Sequence, residues 1–173
     1  GLQAYVGWVG VVVYPGDFII PRREVDEAGV LHEYEDEVLG EAWEGGPVLL
    51  SWFPGDDRPE GVNVVIHEFA HKLDMENGGV DGLPRLRPGM SRQAWAEAFG
   101  AAYEAFCSEV DSGAETVIDP YGAEHPAEFF AVVSETFFEN PRALRARFPA
   151  VHAQLVQFYG MDTAARTAAS GGQ

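Results

Sequence analysis

Residues Gly61 to Leu73 read GVNVVIHEFAHKL. Val65, Phe69 and Leu73 recur at i, i+4 and i+8, the period of one face of an α-helix. His67 and His71 stand four residues apart, so on that helix both rings leave the same side about one turn apart. This spacing suits two ligands of a tetrahedral zinc ion. Glu68 follows the first His and would stand beside the metal without binding it, within reach of a water proton. At this composition, HExxH arises by chance in about one of 70 shuffled chains. Two imidazoles and a carboxylate are costly to bury in an apolar helix without a purpose, and a bound metal supplies one.

A catalytic metal site needs a third protein ligand and an open position. The downstream candidates are Asp74, Glu76, His125, Glu128 and Glu135. Asp74 lies on the same helix as His71 and is too close in sequence to approach a metal from the other side. It suits a hydrogen-bond acceptor that orients a His ring, or equally an acid at the helix end. Glu76 reads as surface loop, and His125 as the residue leading into a later helix. Glu128 sits in AEFFAVV, an apolar segment where a lone carboxylate needs a reason, and Glu135 lies two turns on along the same face. One of the two can bind metal while the other supports the His ligands.

Outward from this helix, Gly7 to Tyr14 reads as a β-branched strand closed by the Pro15-Gly16 turn. Phe18 to Ile20 is a short second strand, and the acidic stretch Val25 to Leu39 reads as loop with strand pieces. Val48 to Phe53 is a further strand, and Pro47 at its start suits a sheet edge. There an extended peptide could add along Val48, Leu49, Leu50, Ser51 and Trp52 as a substrate-binding strand. On the C-terminal side, Asn77-Gly78-Gly79 ends the first helix. Ser91 caps a second with a buried stripe of Trp95, Phe99, Tyr103 and Phe106. Ser108 to His125 is a long polar connection. Pro126, Pro141 and Pro149 each open a helix, and Gly160 ends the last. The expectation is α+β: a small mixed sheet packed on the HExxH helix, then a mostly helical half. Residues 1–162 form one domain and 163–173 a flexible tail.

The chain has 173 residues, enough for one domain with a core, and a net charge of −17. A non-specific grip on nucleic acid is excluded, because that binding runs on clustered Lys and Arg. Asp17 to Glu60 holds thirteen acids against three Arg, a solvated surface. No apolar run is long enough to span a bilayer. Ala4 to Tyr14 lacks preceding basic residues and reads as strand rather than export signal. With the single Cys107 and no signal, a reducing cytoplasm is expected. The chain opens on Gly1, as a trimmed or tagged piece does.

These segments together resemble the Mlc titration factor A family of zinc metallopeptidases. The carrying stretches are Val12-Val13-Tyr14-Pro15-Gly16, Gly40-Glu41-Ala42-Trp43, Gly46 to Trp52, Asn63 to Gly78, and Tyr121 to Phe130 (YGAEHPAEFF). The HEFxH and the Tyr-Gly followed by Ala-Glu-Phe-Phe are also similar to the catalytic domain of anthrax lethal factor. The resemblance implies a zincin-like fold and one zinc per chain. It implies Glu128 rather than Glu135 as third ligand, and Tyr121 as hydrogen-bond donor to the reacting oxygen. It further implies a cytosolic, aminopeptidase-like activity and binding to an Mlc-type transcription repressor. The resemblance implies an N-terminal helical segment in family members, and the expectation is that this sequence does not include it. Two other readings stand beside the peptidase: a repressor-binding regulator with a structural or vestigial zinc, and a metal-dependent hydrolase of a non-peptide substrate.

Overall fold

A computed structural model of the protein describes residues 8–16, 18–26, 28–52 and 63–165. The chain forms two compact units, Gly1–Arg58 and Pro59–Gln173.

The first unit is all β. Strands β1 (Val11–Tyr14), β4 (Gly40–Ala42) and β5 (Val48–Ser51) form a mixed sheet in the order β1-β5-β4. β5 runs parallel to β1, with Val11 opposite Val48, and antiparallel to β4, with Ala42 opposite Val48. It is therefore the central strand of this sheet, not the expected edge. Pro47 misleads because it precedes the first ladder residue: it gives up no strand hydrogen bond, and its carbonyl accepts from Trp43 N–H at 3.1 Å. Val48 and Leu50 are buried, as befits the strand with a neighbour on each side.

Strands β2 (Phe18–Val25) and β3 (Leu31–Val38) form a separate antiparallel hairpin, paired from Phe18 opposite Val38 to Val25 opposite Leu31. The sequence suggested a short strand over Phe18 to Ile20 and only loop with strand pieces from Val25 to Leu39, because LHEYEDEV shows no apolar alternation. A ribbon exposed on both faces has no reason to alternate. Charge and turn chemistry hold it instead. Arg23 and Glu33 are directly opposed and ion-paired at 2.7 Å. Arg22 reaches Asp36 at 3.2 Å and Glu41 at 2.7 Å. Asp26 Oδ1 accepts from the N–H groups of Ala28 and Val30, both at 2.9 Å, closing the turn.

Among the described residues the second unit is helical: α1 (Val64–Met75), α2 (Arg92–Asp111), a 3-10 turn (Pro120–Ala123), α3 (Pro126–Glu139), α4 (Pro141–Arg147) and α5 (Pro149–Tyr159). α3 is buried nearly all round, as its continuous apolar run requires. Trp95, Phe99 and Phe106 of α2, Leu144 of α4, and Val151, Leu155 and Phe158 of α5 enclose it. Trp95 stacks on Phe99 with ring centroids 4.2 Å apart and meets Phe130 edge-on. Ser91 caps α2, the three prolines open α3, α4 and α5, and Gly160 ends α5 at φ 72°. The expected frayed tail begins with two residues that are held. Thr163 Oγ1 donates to Phe137 O at 2.6 Å and Ala164 is buried; residues 166–173 lie outside the described ones.

The apolar row of α1 is not its most buried face. The Val65-Phe69-Leu73 row is only half-buried, whereas Val64, Glu68, His71, Lys72 and Asp74 are buried. α1 packs on α3, and the groups that meet there include its imidazoles and the carboxylates of Glu128 and Glu135. No helix among the described residues is long and apolar enough to cross a membrane.

Candidate metal centre

The site begins at the N-terminus of α1. Asn63 caps the helix, its Oδ1 accepting from Ile66 N–H at 3.2 Å. α3 grips the same residue: Glu135 Oε2 accepts the Asn63 backbone N–H at 2.5 Å, and Glu139 Oε1 accepts from Asn63 Nδ2 at 2.7 Å. Two carboxylates thus sit at the positive end of the α1 dipole and fix where its first turn lies.

One turn on, three ligand-type atoms converge. His67 Nε2 lies 3.0 Å from Glu128 Oε2, His71 Nε2 lies 3.2 Å from the same oxygen, and the two Nε2 atoms are 3.0 Å apart. A ring nitrogen carries at most one hydrogen, aimed outward in the ring plane, so it cannot serve both other corners of such a triangle. A cation can. A tetrahedral ion with bonds of about 2.0–2.2 Å separates its ligand atoms by about 3.3–3.6 Å, within a few tenths of the observed edges. These three residues form a group among the described residues able to hold a metal ion.

The surroundings favour positive charge. Glu135 Oε1 accepts from His67 Nδ1 at 2.8 Å, which in the neutral ring leaves the Nε2 lone pair facing the other ligand atoms. Burial disfavours a charged His67, yet the hydrogen bonds with Glu128 and Glu135 outweigh it and raise the imidazole to about 10. Burial likewise pushes Glu128 up, while His67 and His71 draw it down to about 2. Glu68, 7% exposed, lies close enough for its charge to raise His67 further. Three carboxylates around two imidazoles call for a cation, proton or metal.

The other candidates fall elsewhere. Asp74 is fully buried, but Oδ2 accepts from Gly82 N–H at 2.8 Å, and Oδ1 has no hydrogen-bond partner among the described residues. His71 Nδ1 is also buried without one. The ring hydrogen-bonded through its Nδ1 to a carboxylate is His67, by Glu135. Burial pushes the Asp74 carboxyl up to about 6, against the pull of the Gly82 N–H. His125 caps α3, its Nδ1 accepting from Ala127 N–H at 3.2 Å, and Glu76 is exposed beyond α1. Tyr121 stands on the 3-10 turn, 47% exposed, its ring centroid 6.0 Å from that of His67. Val48, Leu49, Leu50, Ser51 and Trp52 belong to the other unit. There the β5 backbone is paired on both sides, with Ser51 N–H on Leu39 O at 2.7 Å and Trp52 N–H on Tyr14 O at 2.8 Å. An incoming peptide finds no open edge on it.

Sequence reasoning missed Asn63 and Glu139. The signal for Asn63 was present: an Asn directly before an apolar run is an N-cap, and a helix started at Gly61 passes over it.

The family model for glucose-regulated metallo-peptidase M90 matches residues 1–160. The chain is 38% identical over 167 residues to the Mlc titration factor A of Escherichia fergusonii, covering 94% of this chain and 63% of that protein. It is 37% identical over 171 residues to the protein of that name from Pectobacterium atrosepticum, covering 96% and 64%. With that of Yersinia pestis the identity is 39% over 165 residues, covering 92% and 61%. The chain thus spans less than two thirds of the length of each of these three relatives.

Proposed function

Because the chain belongs to the glucose-regulated metallo-peptidase M90 family, we propose that it is a zinc-dependent peptidase of the aminopeptidase-like kind, working in the cytoplasm. The observation that carries this reading is the triangle of His67 Nε2, His71 Nε2 and Glu128 Oε2, with edges of 3.0, 3.0 and 3.2 Å. His67, His71 and Glu128 would hold the ion, and two imidazoles with one carboxylate make a donor set that suits zinc. When bound, zinc supplies Lewis acidity, polarising the scissile carbonyl and acidifying a water.

The chain's own groups do the rest. Glu68 accepts the proton of the attacking water and delivers it to the amine as the C–N bond breaks. The Tyr121 hydroxyl donates a hydrogen bond to the carbonyl oxygen as negative charge builds there. Glu135 holds the His67 ring in place. Asp74 acts at one remove, by fixing the Gly82 backbone. Strand addition along Val48 to Trp52 is not part of this reading.

The test is Glu68→Gln. Zinc content stays at one per chain, and hydrolysis of an amino-acid p-nitroanilide falls by about 10²–10⁴. Turnover near that of the parent protein would end the general-base assignment. A free against a blocked amino terminus on the probe decides the aminopeptidase preference. Glu128→Ala loses zinc.

A second reading follows from the name of the relatives: a partner of a Mlc-like repressor. Glu68→Gln tests the two readings separately, because Glu68 is buried and its loss leaves the surface intact. Repressor binding that survives in Glu68→Gln makes the two functions independent. Repressor binding in a chain that never hydrolyses leaves the regulator alone.

A further inference from the structure

We infer that Tyr103 is a positioning residue whose hydroxyl anchors the turn that presents Tyr121 to His67. The inference rests on the role proposed for Tyr121. Tyr103, on α2, donates from its hydroxyl to Ala123 O at 2.9 Å. Cys107, one turn further along the same face, brings its Sγ to 3.8 Å from that oxygen. Ala123 closes the 3-10 turn. Asp119 Oδ1 holds the other end by accepting from Tyr121 N–H at 2.9 Å.

The middle of the turn is seated hard against the helices. A Cβ on Gly122 would meet Phe106 of α2, and Phe129 and Val132 of α3, each at 3.4 Å. At its two ends the turn carries backbone hydrogen bonds from Gly122 N–H to Asp119 O and from Glu124 N–H to Tyr121 O, both at 3.1 Å. Tyr121 is half in solvent, and the backbone of the turn sets where its ring stands beside His67. Removing the Tyr103 hydroxyl therefore loosens the C-terminal end of the turn and lets the Tyr121 ring drift. Tyr103 itself stays packed, because its ring meets Phe129 edge-on at 5.6 Å.

A purely structural tyrosine would behave differently, and the same core contains one. Tyr159 donates to Ser134 Oγ at 2.9 Å, away from the turn. The experiment compares Tyr103→Phe, Tyr159→Phe, Tyr121→Phe and the Tyr103→Phe/Tyr121→Phe double variant. It follows p-nitroanilide kinetics, bound zinc and backbone amide exchange. Tyr103→Phe lowers kcat roughly three- to tenfold, the worth of one hydrogen bond, without changing KM or zinc content. The amides of Gly122 and Glu124 exchange faster. Tyr159→Phe does none of this, and the double variant is no slower than Tyr121→Phe alone.

Unchanged exchange at Gly122 and Glu124 in Tyr103→Phe, or an equal loss of kcat in Tyr159→Phe, overturns the inference. If Tyr121→Phe proves fully active, the catalytic role of Tyr121 falls. The anchoring is then decided by exchange alone: faster exchange upholds it and parental exchange ends it.

Discussion

Glu135 uses both of its oxygens, one on His67 Nδ1 at 2.8 Å and one on the Asn63 backbone N–H at 2.5 Å. Glu128, two turns earlier on α3, instead places Oε2 against both Nε2 atoms. Their duties differ, and so should their losses. Glu135→Gln removes the charged acceptor that fixes the His67 ring, which costs about 10–100-fold in zinc affinity. Glu128→Ala removes one of the three converging groups and costs more. Competition with a chromophoric chelator measures both, and equal losses would dissolve the division of labour. The sequence made His67, Glu68 and His71 plain as a constellation, because their spacing fixes their geometry on one helix. It left Glu128 and Glu135 undecided, since both lie on one face and local pattern cannot say which reaches the His pair. Only the resemblance separated them. That Asp74 would hold the Gly82 backbone was not legible, because the partner is a backbone N–H in a loop.

Elements were legible where local chemistry is strong. Ser91, the three helix-opening prolines and Gly160 fix the boundaries of α2 to α5, and the aromatic stripe fixes the inner face of α2. They were illegible where no core imposes a period, as in the β2–β3 hairpin, and where a partner is remote in sequence, as for β5. Loops carry similar constraints unseen. Gly82 sits at φ 78°, and a Cβ there would come within 2.5 Å of Pro126 O. Its N–H serves Asp74 and its carbonyl accepts from Trp95 Nε1 at 3.0 Å, so one residue ties α1, α2 and the start of α3 together. Gly82→Ala combines a strained backbone with a backbone clash and should cost about 2 kcal/mol or more. Chemical denaturation measures it. A cost no larger than that of Gly100→Ala, a helical position where a Cβ meets nothing within 4 Å, would show that the loop simply yields.

At the scale of the molecule, the site joins helices far apart in sequence. His67 and His71 come from α1 and Glu128 from α3, with α2 and the 3-10 turn threaded between them. The unfolded chain has no such constellation, so a metal bound there stabilises the native helical unit by mass action. A hundredfold excess over Kd contributes about 2.7 kcal/mol. For a unit of about this size that raises the melting temperature by on the order of 10 °C. The chain's net charge of −17 adds to the effect, because a dication offsets part of the self-repulsion of the compact state. Melting followed by the far-UV helix signal, with zinc and after chelation, tests the coupling. Glu68→Gln keeps the full zinc-dependent shift, since Glu68 is not among the three converging groups. Glu128→Ala loses it. A protein that retains zinc yet melts at the same temperature with and without it would mean that the ion does not bridge α1 and α3.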